Sequence, residues 1–538
     1  MAASAAVGYV ILRSTLGTFL FTTLLALAVS VPAAADVALL GPDQIEYLDV
    51  ARSLIRGDGY TLRVKAFHTG GTDVVHSGLR ERPPLLPLIA AAFMAAGLGP
   101  IAVQVFNAVV ASSAAGLMAA IGARLFGPAV GLASGVLVAV NPVFAERTLP
   151  VMTEAMALCL IAASVWAVLV PPPTAAWSAL GGVLAGLGYV TRPTQLSALA
   201  GTALGLVVPP RGQSIRATWL LAGAVLIIAP LSIASWAWQG RWSYSGQDYL
   251  FAVFYDSDVM WDGYARPVPT AAEFIRENWA HLPGAIGARA MEYSTWLLGS
   301  RELLLPLVPG VIASLAAVCG GRSAAGSSVL LVTAGASFAG YVMIWSVTAE
   351  RYLLPTLMLL TPLGVAGWRS LTNALPISSA ARTTVFVALM AAIVALWAPR
   401  TVDRLRGRYV DDGQLVGVRE DYGLRWTGSP SWVNDEDIAT LIEWIRRETD
   451  SAAVVASVEP WPITYFADRP STLLPRRLTA EQLASFISDY RVALLILDPR
   501  DRQRRSYRTD LERMATQGVT TTTVGRYTVF YVRPLWQR

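Results

Sequence analysis

The chain has 538 residues, of which 54% are hydrophobic and only 15% charged, whereas about a quarter of the residues in soluble domains are charged. Repeated apolar stretches reach about 20 residues, the length that crosses the hydrocarbon core of a bilayer. This pattern excludes a soluble globular protein and predicts a polytopic α-helical membrane protein. The net charge of +5 then reflects arginines at membrane boundaries and does not indicate a nucleic-acid partner.

Eleven apolar runs predict transmembrane helices. Small residues that follow the first run are typical of a signal-peptide cleavage site, but we expect this run to be retained as an anchor because many spans follow it. A further short run at 83–99 predicts a juxtamembrane or re-entrant helix. The predicted spans are 9–33, 102–124, 128–145, 152–170, 175–191, 193–208, 217–237, 303–319, 327–347, 352–368 and 382–398.

Charge segregation between the connecting segments supports this count. With eleven spans, one set of connectors is free of acidic residues, whereas all eighteen Asp and Glu residues before residue 400 lie in the other set or, for Glu154, at the adjoining start of a span. Short arginine-bearing loops are typical of the cytoplasmic side. The first loop (36–101), the large loop (238–302) and the C-terminal end are therefore predicted to be extracytoplasmic, in a bacterial-type cytoplasmic (inner) membrane.

The composition becomes charged and polar after residue 400, which divides the chain into a membrane domain (1–400) and a soluble extracytoplasmic domain (401–538). Helical segments, one of them opened by Thr479, alternate with the buried-strand runs "AAVVASV" and "VALLILD". The end, "TTTTVGRYTVFYV", alternates like a β-hairpin around Gly525. These elements predict a small α/β domain, for which we expect acceptor recognition or structural support and not catalysis.

The segment "GPDQIEYLDVARSLIRGDGY" (41–60) predicts a short amphipathic helix directly after the first span. Asp43, Tyr47, Ala51 and Leu54 follow one stripe of that helix. A carboxylate at a helix start can cap backbone N–H groups, so Asp43 also has a purely structural interpretation. We favour a functional one, because the same predicted membrane face collects more charged side chains than capping requires.

Arginines on this face are candidates for binding a lipid-linked phosphate. Arg82 precedes a proline-led apolar helix, and Arg192 and Arg351 lie in tight outer hairpins. Arginine suits phosphate geometry, although interfacial arginines also snorkel for structural reasons. Glu154 opens an apolar span, where an ionisable group is costly and usually functional. Further substrate-binding candidates are Glu46, Tyr47, His76, Arg80, Glu81, Glu146 and Arg147.

Metal binding has weaker support in the sequence. His68, Asp73 and His76 share the first loop, but their spacing is not diagnostic of a metal site. The two cysteines, Cys159 and Cys319, fall within predicted spans and read as small apolar residues. We therefore expect no metal and no other cofactor, with a divalent ion as the open alternative.

Taken in order, these motifs resemble a known family. The stripe that begins at Asp43, then "GDGY", "RPPLLPL", a "TE" that opens a span, "TRP" and "ERYLLP" are similar to the GT-C superfamily of polyprenyl-phosphate-sugar-dependent glycosyltransferases. The closest likeness is to the branch of protein O-mannosyltransferases and lipid A aminoarabinose transferases, and it covers about residues 9–400. Family members more often carry adjacent acids where this chain has "DQIE", which leaves the role of Glu46 open.

The resemblance implies a fold and a set of roles. It implies two juxtamembrane helices in the first loop, at about 43–56 and 84–98, followed by further spans and an appended extracytoplasmic domain. It also implies that Asp43 is the catalytic base and that Glu154 corresponds to the second functional acid.

The resulting expectation is an inverting transfer from a polyprenyl-phosphate-linked sugar to an extracytoplasmic hydroxyl. Asp43 would take the proton, and Arg82, Arg192 and Arg351 would stabilise the leaving phosphate. The sugar stays open, as does the acceptor, which is a protein, a glycolipid or a cell-wall glycan. No nucleic acid is expected.

Two other classes of protein stay as alternatives. A lipid or solute transporter (flippase) usually places ionisable groups near the bilayer midplane and carries repeated halves, and the sequence shows neither pattern. A noncatalytic membrane scaffold that presents the C-terminal domain would tolerate replacement of Asp43, Glu154 and Arg351.

Overall fold

The structure is a computed structural model, and it is mostly helical. It describes residues 2–36, 38–66, 71–170, 172–208, 213–240, 242, 264, 269–321, 326–344, 349–405, 416–418, 436–499, 505–514, 518–533 and 535. Residues 241, 243–263 and 265–268 of the large loop predicted at 238–302, as well as His68, therefore lie outside the described residues.

The helices follow the apolar runs and the amphipathic segments of the sequence. In chain order they are α1 (Ala2–Asp36), α2 (Pro42–Arg56), α3 (Leu85–Ala95), α4 (Pro100–Phe126), α5 (Pro128–Ala139), α6 (Pro142–Thr148), α7 (Glu154–Leu169), α8 (Ala175–Thr191), α9 (Gln195–Val207), α10 (Ser214–Gln239), α11 (Ala271–Asn278), α12 (Leu282–Gly299), α13 (Val308–Cys319), α14 (Ser327–Ile344), α15 (Leu354–Asn373), α16 (Ser379–Leu405), α17 (Glu436–Glu448), α18 (Pro460–Pro462), α19 (Ala480–Asp489) and α20 (Arg505–Arg513). Helix α18 continues as a π-helix (Ile463–Ala467), and 3₁₀ turns occupy Gly78–Arg80, Leu305–Leu307 and Glu350–Leu353.

The strands are short by comparison. They are β1 (Ala38–Leu40), β2 (Thr61–Leu62), β3 (Val64–Lys65), β4 (His76–Ser77), β5 (Val416–Val418), β6 (Val454–Ser457), β7 (Ser471–Leu473), β8 (Val492–Leu497), β9 (Thr520–Val524) and β10 (Tyr527–Tyr531).

Several of the helices have the length and composition of membrane spans. Within the described residues, α1, α4, α10 and α16 are long and apolar enough to cross a bilayer. The consecutive helices α5 and α6, bent by 58°, add a fifth if they form one broken span. Every predicted span coincides with a helix or a helix pair, and several of these helices are shorter than 18 residues. A mostly helical protein with several apolar spans is therefore confirmed, whereas the count of eleven stays a prediction.

The chain divides into two compact units, and each consists of separate segments. Unit 1 comprises residues 1–36, 101–244 and 281–409, and unit 2 comprises residues 37–100, 245–280 and 410–538. In this division, residues 37–100 of the first loop belong to the same unit as the C-terminal region.

Unit 2 contains a six-stranded mixed sheet with the strand order β3-β7-β6-β8-β10-β9. Strands β3, β7, β6 and β8 are parallel, and β10 is antiparallel to both β8 and β9. The predicted β-hairpin is present, and Gly525 adopts φ +54° in its turn, a left-handed conformation that glycine adopts without steric cost. The predicted C-terminal α/β region is thus confirmed, with one addition: its edge strand β3 comes from the first loop.

The first loop also contains the two helices that were predicted for it. Helix α2 ends where Gly57 adopts φ +84°, a left-handed end that favours glycine. Helix α3 has 11 residues, which correspond to about 16 Å at 1.5 Å per residue, about half of the hydrocarbon thickness of a bilayer. It therefore suits a juxtamembrane position better than a span.

Candidate active site

Acidic side chains lie at the start of α2 in unit 2. The helix begins after Gly41 with Pro42 in its first turn, where the fixed φ of proline fits. Asp43 follows in the same turn, where the helix dipole favours a negative charge. Its side chain is 31% exposed, whereas that of Glu46 is only 3% exposed. One helix end thus carries an accessible carboxylate and a buried one.

Arg82 connects these two carboxylates. Its Nη2 donates to Oδ1 of Asp43 at 2.6 Å, and its Nε donates to Oε2 of Glu46 at 2.6 Å. The guanidinium carbon lies 5.1 Å from the ring centroid of Tyr47, and the Tyr60 hydroxyl donates to the backbone carbonyl of Arg82 at 3.0 Å. Two carboxylates therefore share one guanidinium, and its positive charge is already offset within the cluster.

Trp461 completes the surroundings of Glu46 from the C-terminal sheet region of the same unit. Its indole Nε1 donates to Oε1 of Glu46 at 2.6 Å. Burial raises the pKa of Glu46 to about 8, and the nearby Glu81 and Asp43 raise this pKa further, whereas Arg82 and the hydrogen bond from Trp461 oppose the shift. Glu46 therefore takes up a proton far more readily than an ordinary glutamate does.

This shift predicts a pH-dependent contribution to stability. Because the pKa of Glu46 is raised above its ordinary value of 4.5, the folded state binds the proton more tightly, and the stability that this provides is lost as the pH rises toward 8. We expect Glu46→Gln to remove this loss, which amounts to up to about 1.4 kcal/mol per pH unit. Thermal unfolding between pH 5 and pH 9 measures it. Glu512→Gln, at a side chain that is 58% exposed on α20, is the control and should leave the pH dependence of the wild type unchanged, while an unchanged pH dependence in Glu46→Gln would contradict the assignment.

The remaining candidates of the first loop lie close to this cluster in the sequence. Nε2 of His76 is 2.5 Å from Oε1 of Glu81, and its Nδ1 is 2.9 Å from the backbone carbonyl of Val74. Arg80 lies in the 3₁₀ turn Gly78–Arg80, and its side chain is outside the described part of the structure. Among the described residues, no three metal-binding side chains converge.

A second charged cluster lies in unit 1, where α7 begins. Nη1 of Arg192, which follows α8, is 2.7 Å from Oε1 of Glu154, and Nε of Arg351 is 4.0 Å from the same oxygen. Glu154 is 3% exposed, Arg192 11% and Arg351 28%. Two guanidinium groups thus surround one carboxylate, and the positive charge of this cluster exceeds its negative charge by one.

Aromatic rings flank the two arginines. The guanidinium carbon of Arg192 lies 5.7 Å from the ring centroid of Tyr341 and 5.4 Å from that of Tyr352, and that of Arg351 lies 5.1 Å from the Tyr352 ring. The two rings stack with their centroids 5.6 Å apart. Cations over aromatic faces are held in place without loss of their charge, so this arrangement presents fixed positive charge.

Glu146 and Arg147 belong to a different network of unit 1. Arg404, near the end of α16, forms ion pairs with Glu146, with Glu302 at 2.5 Å and with Glu350 at 3.3 Å. Arg147 lies 3.9 Å from Glu146. These contacts give Glu146 a structural partner, and they add Glu302 and Arg404 to the residues that sequence reasoning did not single out.

The chain is similar to known proteins in part of its sequence and in its fold. Residues 81–238 match the family model described as dolichyl-phosphate-mannose-protein mannosyltransferase. A sequence search of the curated proteins finds no match. Among solved structures, ArnT from Cupriavidus metallidurans bound to undecaprenyl phosphate is 14% identical, with a TM-score of 0.57, over 96% of this chain and 98% of that one. The chain has the GT-C fold.

Other structures with a similar fold come from an archaeon. AglB, an oligosaccharyltransferase from Archaeoglobus fulgidus in complex with an inhibitory peptide and a dolichol-phosphate, is 12% identical with a TM-score of 0.57, over 90% of this chain and 69% of that one. The A. fulgidus oligosaccharyltransferase tethered with an acceptor peptide is 11% identical with a TM-score of 0.61, again over 90% and 69%. The predicted resemblance to the GT-C superfamily is therefore confirmed.

The family-model match covers some of the candidate residues and not others. The segment 81–238 includes Arg82, Glu154 and Arg192, whereas Asp43 and Arg351 lie outside it. The GT-C structures extend over both regions, because they cover nine-tenths of the chain or more.

Proposed function

We propose that the protein is a membrane glycosyltransferase that moves a sugar from a polyprenyl-phosphate donor to an extracytoplasmic hydroxyl with inversion, with Asp43 as general base. The observation that carries the proposal is the environment of Asp43 in a chain with the GT-C fold. The carboxylate of Asp43 is partly exposed, and Nη2 of Arg82 holds its Oδ1 at 2.6 Å. A general base needs this combination of fixed position and access.

The proposed chemistry is a single displacement. The acceptor oxygen forms a bond to the anomeric carbon while its proton passes to the carboxylate of Asp43. On the opposite face, the bond between the anomeric carbon and the phosphate oxygen breaks, and its electron pair leaves with the polyprenyl phosphate. General-base assistance of this kind typically contributes about 10²–10⁴-fold in rate, and the phosphate leaves as an anion without a general acid.

We assign the donor phosphate to Arg192 and Arg351, and this assignment follows from charge. Their cluster has an excess of one positive charge over Glu154, which suits an anion whose charge grows in the transition state. Asp43 offsets the charge of Arg82, and Glu46 is the second partner of its guanidinium, so we assign Arg82 to holding the base. Glu154 then orients the two arginines and does not react itself.

The proposal includes the eleven-span topology, with Asp43 and the C-terminal region on the extracytoplasmic side of a bacterial-type cytoplasmic membrane. The charge segregation between connectors supports it. We expect a C-terminal fusion to alkaline phosphatase, which folds only outside the cytoplasm, to be active, and a fusion ending at residue 211 to be inactive. The reverse pattern of activities would contradict the topology.

Substrate classes are tested by direct transfer. Names of similar proteins mention dolichyl phosphate, undecaprenyl phosphate and acceptor peptides, and we propose a polyprenyl-phosphate-linked sugar as donor and a protein, a glycolipid or a cell-wall glycan as acceptor. The purified protein is incubated with labelled polyprenyl-phosphate sugars and cell-envelope fractions. Transfer of label to one acceptor class supports the proposal, and a lack of transfer across the whole panel contradicts it.

A further inference from the structure

A short helical segment of the C-terminal region lies along α2. Trp461 lies in α18, Tyr465 in its π-helical continuation and Asp468 directly after it. Each contacts a side chain of α2: Trp461 contacts Glu46, the backbone carbonyl of Tyr465 accepts from Arg52 at 2.8 Å, and both carboxylate oxygens of Asp468 accept from Arg56 at 2.9 Å.

These contacts hold α2 from its first turns to its last. Nη1 of Arg63 also donates to Asp468 at 2.8 Å, while its Nε and Nη2 donate to the fully buried Asp49 at 3.1 and 2.7 Å. The guanidinium carbon of Arg52 lies 4.4 Å from the Tyr465 ring centroid. Helix α2 is therefore fixed to the C-terminal segment along its length. Of the α2 residues that this segment contacts, Glu46, the partner of Trp461, is the one closest to Asp43 in the sequence.

A chain of hydrogen bonds leads from Trp461 to Asp43. The indole N–H donates to Oε1 of Glu46, whose Oε2 accepts from Arg82, and Arg82 in turn donates to Asp43, with each of these three distances at 2.6 Å. A buried tryptophan N–H needs an acceptor in any protein. Here the acceptor is Glu46, which shares the guanidinium of Arg82 with the proposed base Asp43. The hydrogen bond can therefore affect the position of Asp43 as well as the packing of Trp461.

We infer that Trp461 is a positioning residue, which orients Asp43 through Glu46 and Arg82 and so makes the C-terminal region part of the catalytic machinery. This inference rests on the proposed function. Trp461 is 7% exposed and Glu46 is 3% exposed, so water does not readily replace the hydrogen bond between them. Without it, the Glu46 carboxylate is free to turn, and the guanidinium moves with it relative to Asp43.

The first test is Trp461→Phe, which removes the N–H donor and keeps an aromatic ring. We expect kcat for transfer to fall by roughly tenfold, in line with the loss of one buried hydrogen bond, and the KM for the donor to stay unchanged. Trp444→Phe is the matched control, since Trp444 packs against Tyr531 in the same sheet region, and it should retain wild-type kinetics. Wild-type kcat in Trp461→Phe would overturn the inference.

A double-mutant cycle with Glu46→Gln separates positioning from simple packing. If Trp461 acts through Glu46, the effects of the two substitutions on kcat are not additive, and the double variant is no more impaired than the worse single variant. Additive effects would overturn the inference.

The same cycle is followed by thermal unfolding, which needs no transfer activity. Non-additive shifts in Tm are expected if the hydrogen bond couples the two residues. Should the wild type transfer no sugar at all, the proposed function fails, while the Tm cycle still decides whether Trp461 and Glu46 are coupled. Additive Tm shifts would show that they are not.

Discussion

We expect replacement of Asp43 by asparagine to lower kcat for sugar transfer by about 10²–10⁴-fold, the range that general-base catalysis supplies. The amide keeps the shape of the side chain and an oxygen that accepts from Arg82, but it does not take a proton from the acceptor hydroxyl. The KM for the donor stays near the wild-type value, because Asp43 is assigned to the acceptor proton and not to the donor phosphate. Initial rates at saturating and limiting donor concentrations measure both quantities.

Asp58→Asn is the matched control for this prediction. Asp58 lies in the same loop, just after α2, and is exposed, so its replacement should leave both kcat and KM unchanged. The wild-type rate in Asp43→Asn would contradict the assignment of the base. If the variants of Glu154 and Arg351 were also fully active, the scaffold alternative would be favoured.

The second large effect is expected at the arginine-rich cluster of unit 1. Arg192→Gln removes one of two positive charges, and we expect kcat/KM for the donor to fall by about 10²–10³-fold, as for the loss of one preorganised group that stabilises a developing anion. Glu154→Gln leaves both arginines in place, so we expect the KM for the donor to stay the same or to fall. Only Arg192→Gln is therefore expected to weaken donor binding.

A double variant separates this catalytic effect from folding. In Arg192→Gln, the ion-pair partner that stays with Glu154 is Arg351, at 4.0 Å. Glu154 is only 3% exposed, and a buried carboxylate that has lost its nearest partner destabilises the protein. Arg192→Gln combined with Glu154→Gln removes both charges and should regain stability against thermal unfolding without regaining kcat/KM. Recovery of wild-type kcat/KM in the double variant would contradict the role of Arg192 in phosphate binding.

The sequence predicted the elements well wherever local pattern decides them. Apolar runs marked the helices, the capping residue Thr479 marked the start of α19, and alternation around Gly525 marked the β9–β10 hairpin. Glu154 stood out because an ionisable side chain that opens an apolar span is costly and usually functional, and Asp43 because the same predicted membrane face collects more charged side chains than capping requires. In these cases the energetic reason for the structure lies within a few residues of the chain.

Contacts between segments that lie far apart in the sequence were not predicted. Arg82 was expected to bind phosphate, but the structure pairs it with two carboxylates that lie 36 and 39 positions away. Trp461 lies 415 positions from Glu46, and no local pattern marks it. Strand β3 has only two residues, too few for alternation to reveal a strand. Such contacts depend on which segments fold together, which periodicity does not encode.

The anomeric configuration of the product tests the central claim most directly. The purified protein is given a polyprenyl-phosphate sugar with an isotopic label at the anomeric carbon, and the acceptor-linked product is analysed by NMR. A single displacement assisted by Asp43 predicts an anomeric configuration opposite to that of the donor. Retention of the donor configuration would require two displacements or another route, and it would contradict the assignment of Asp43 as the base of an inverting transfer.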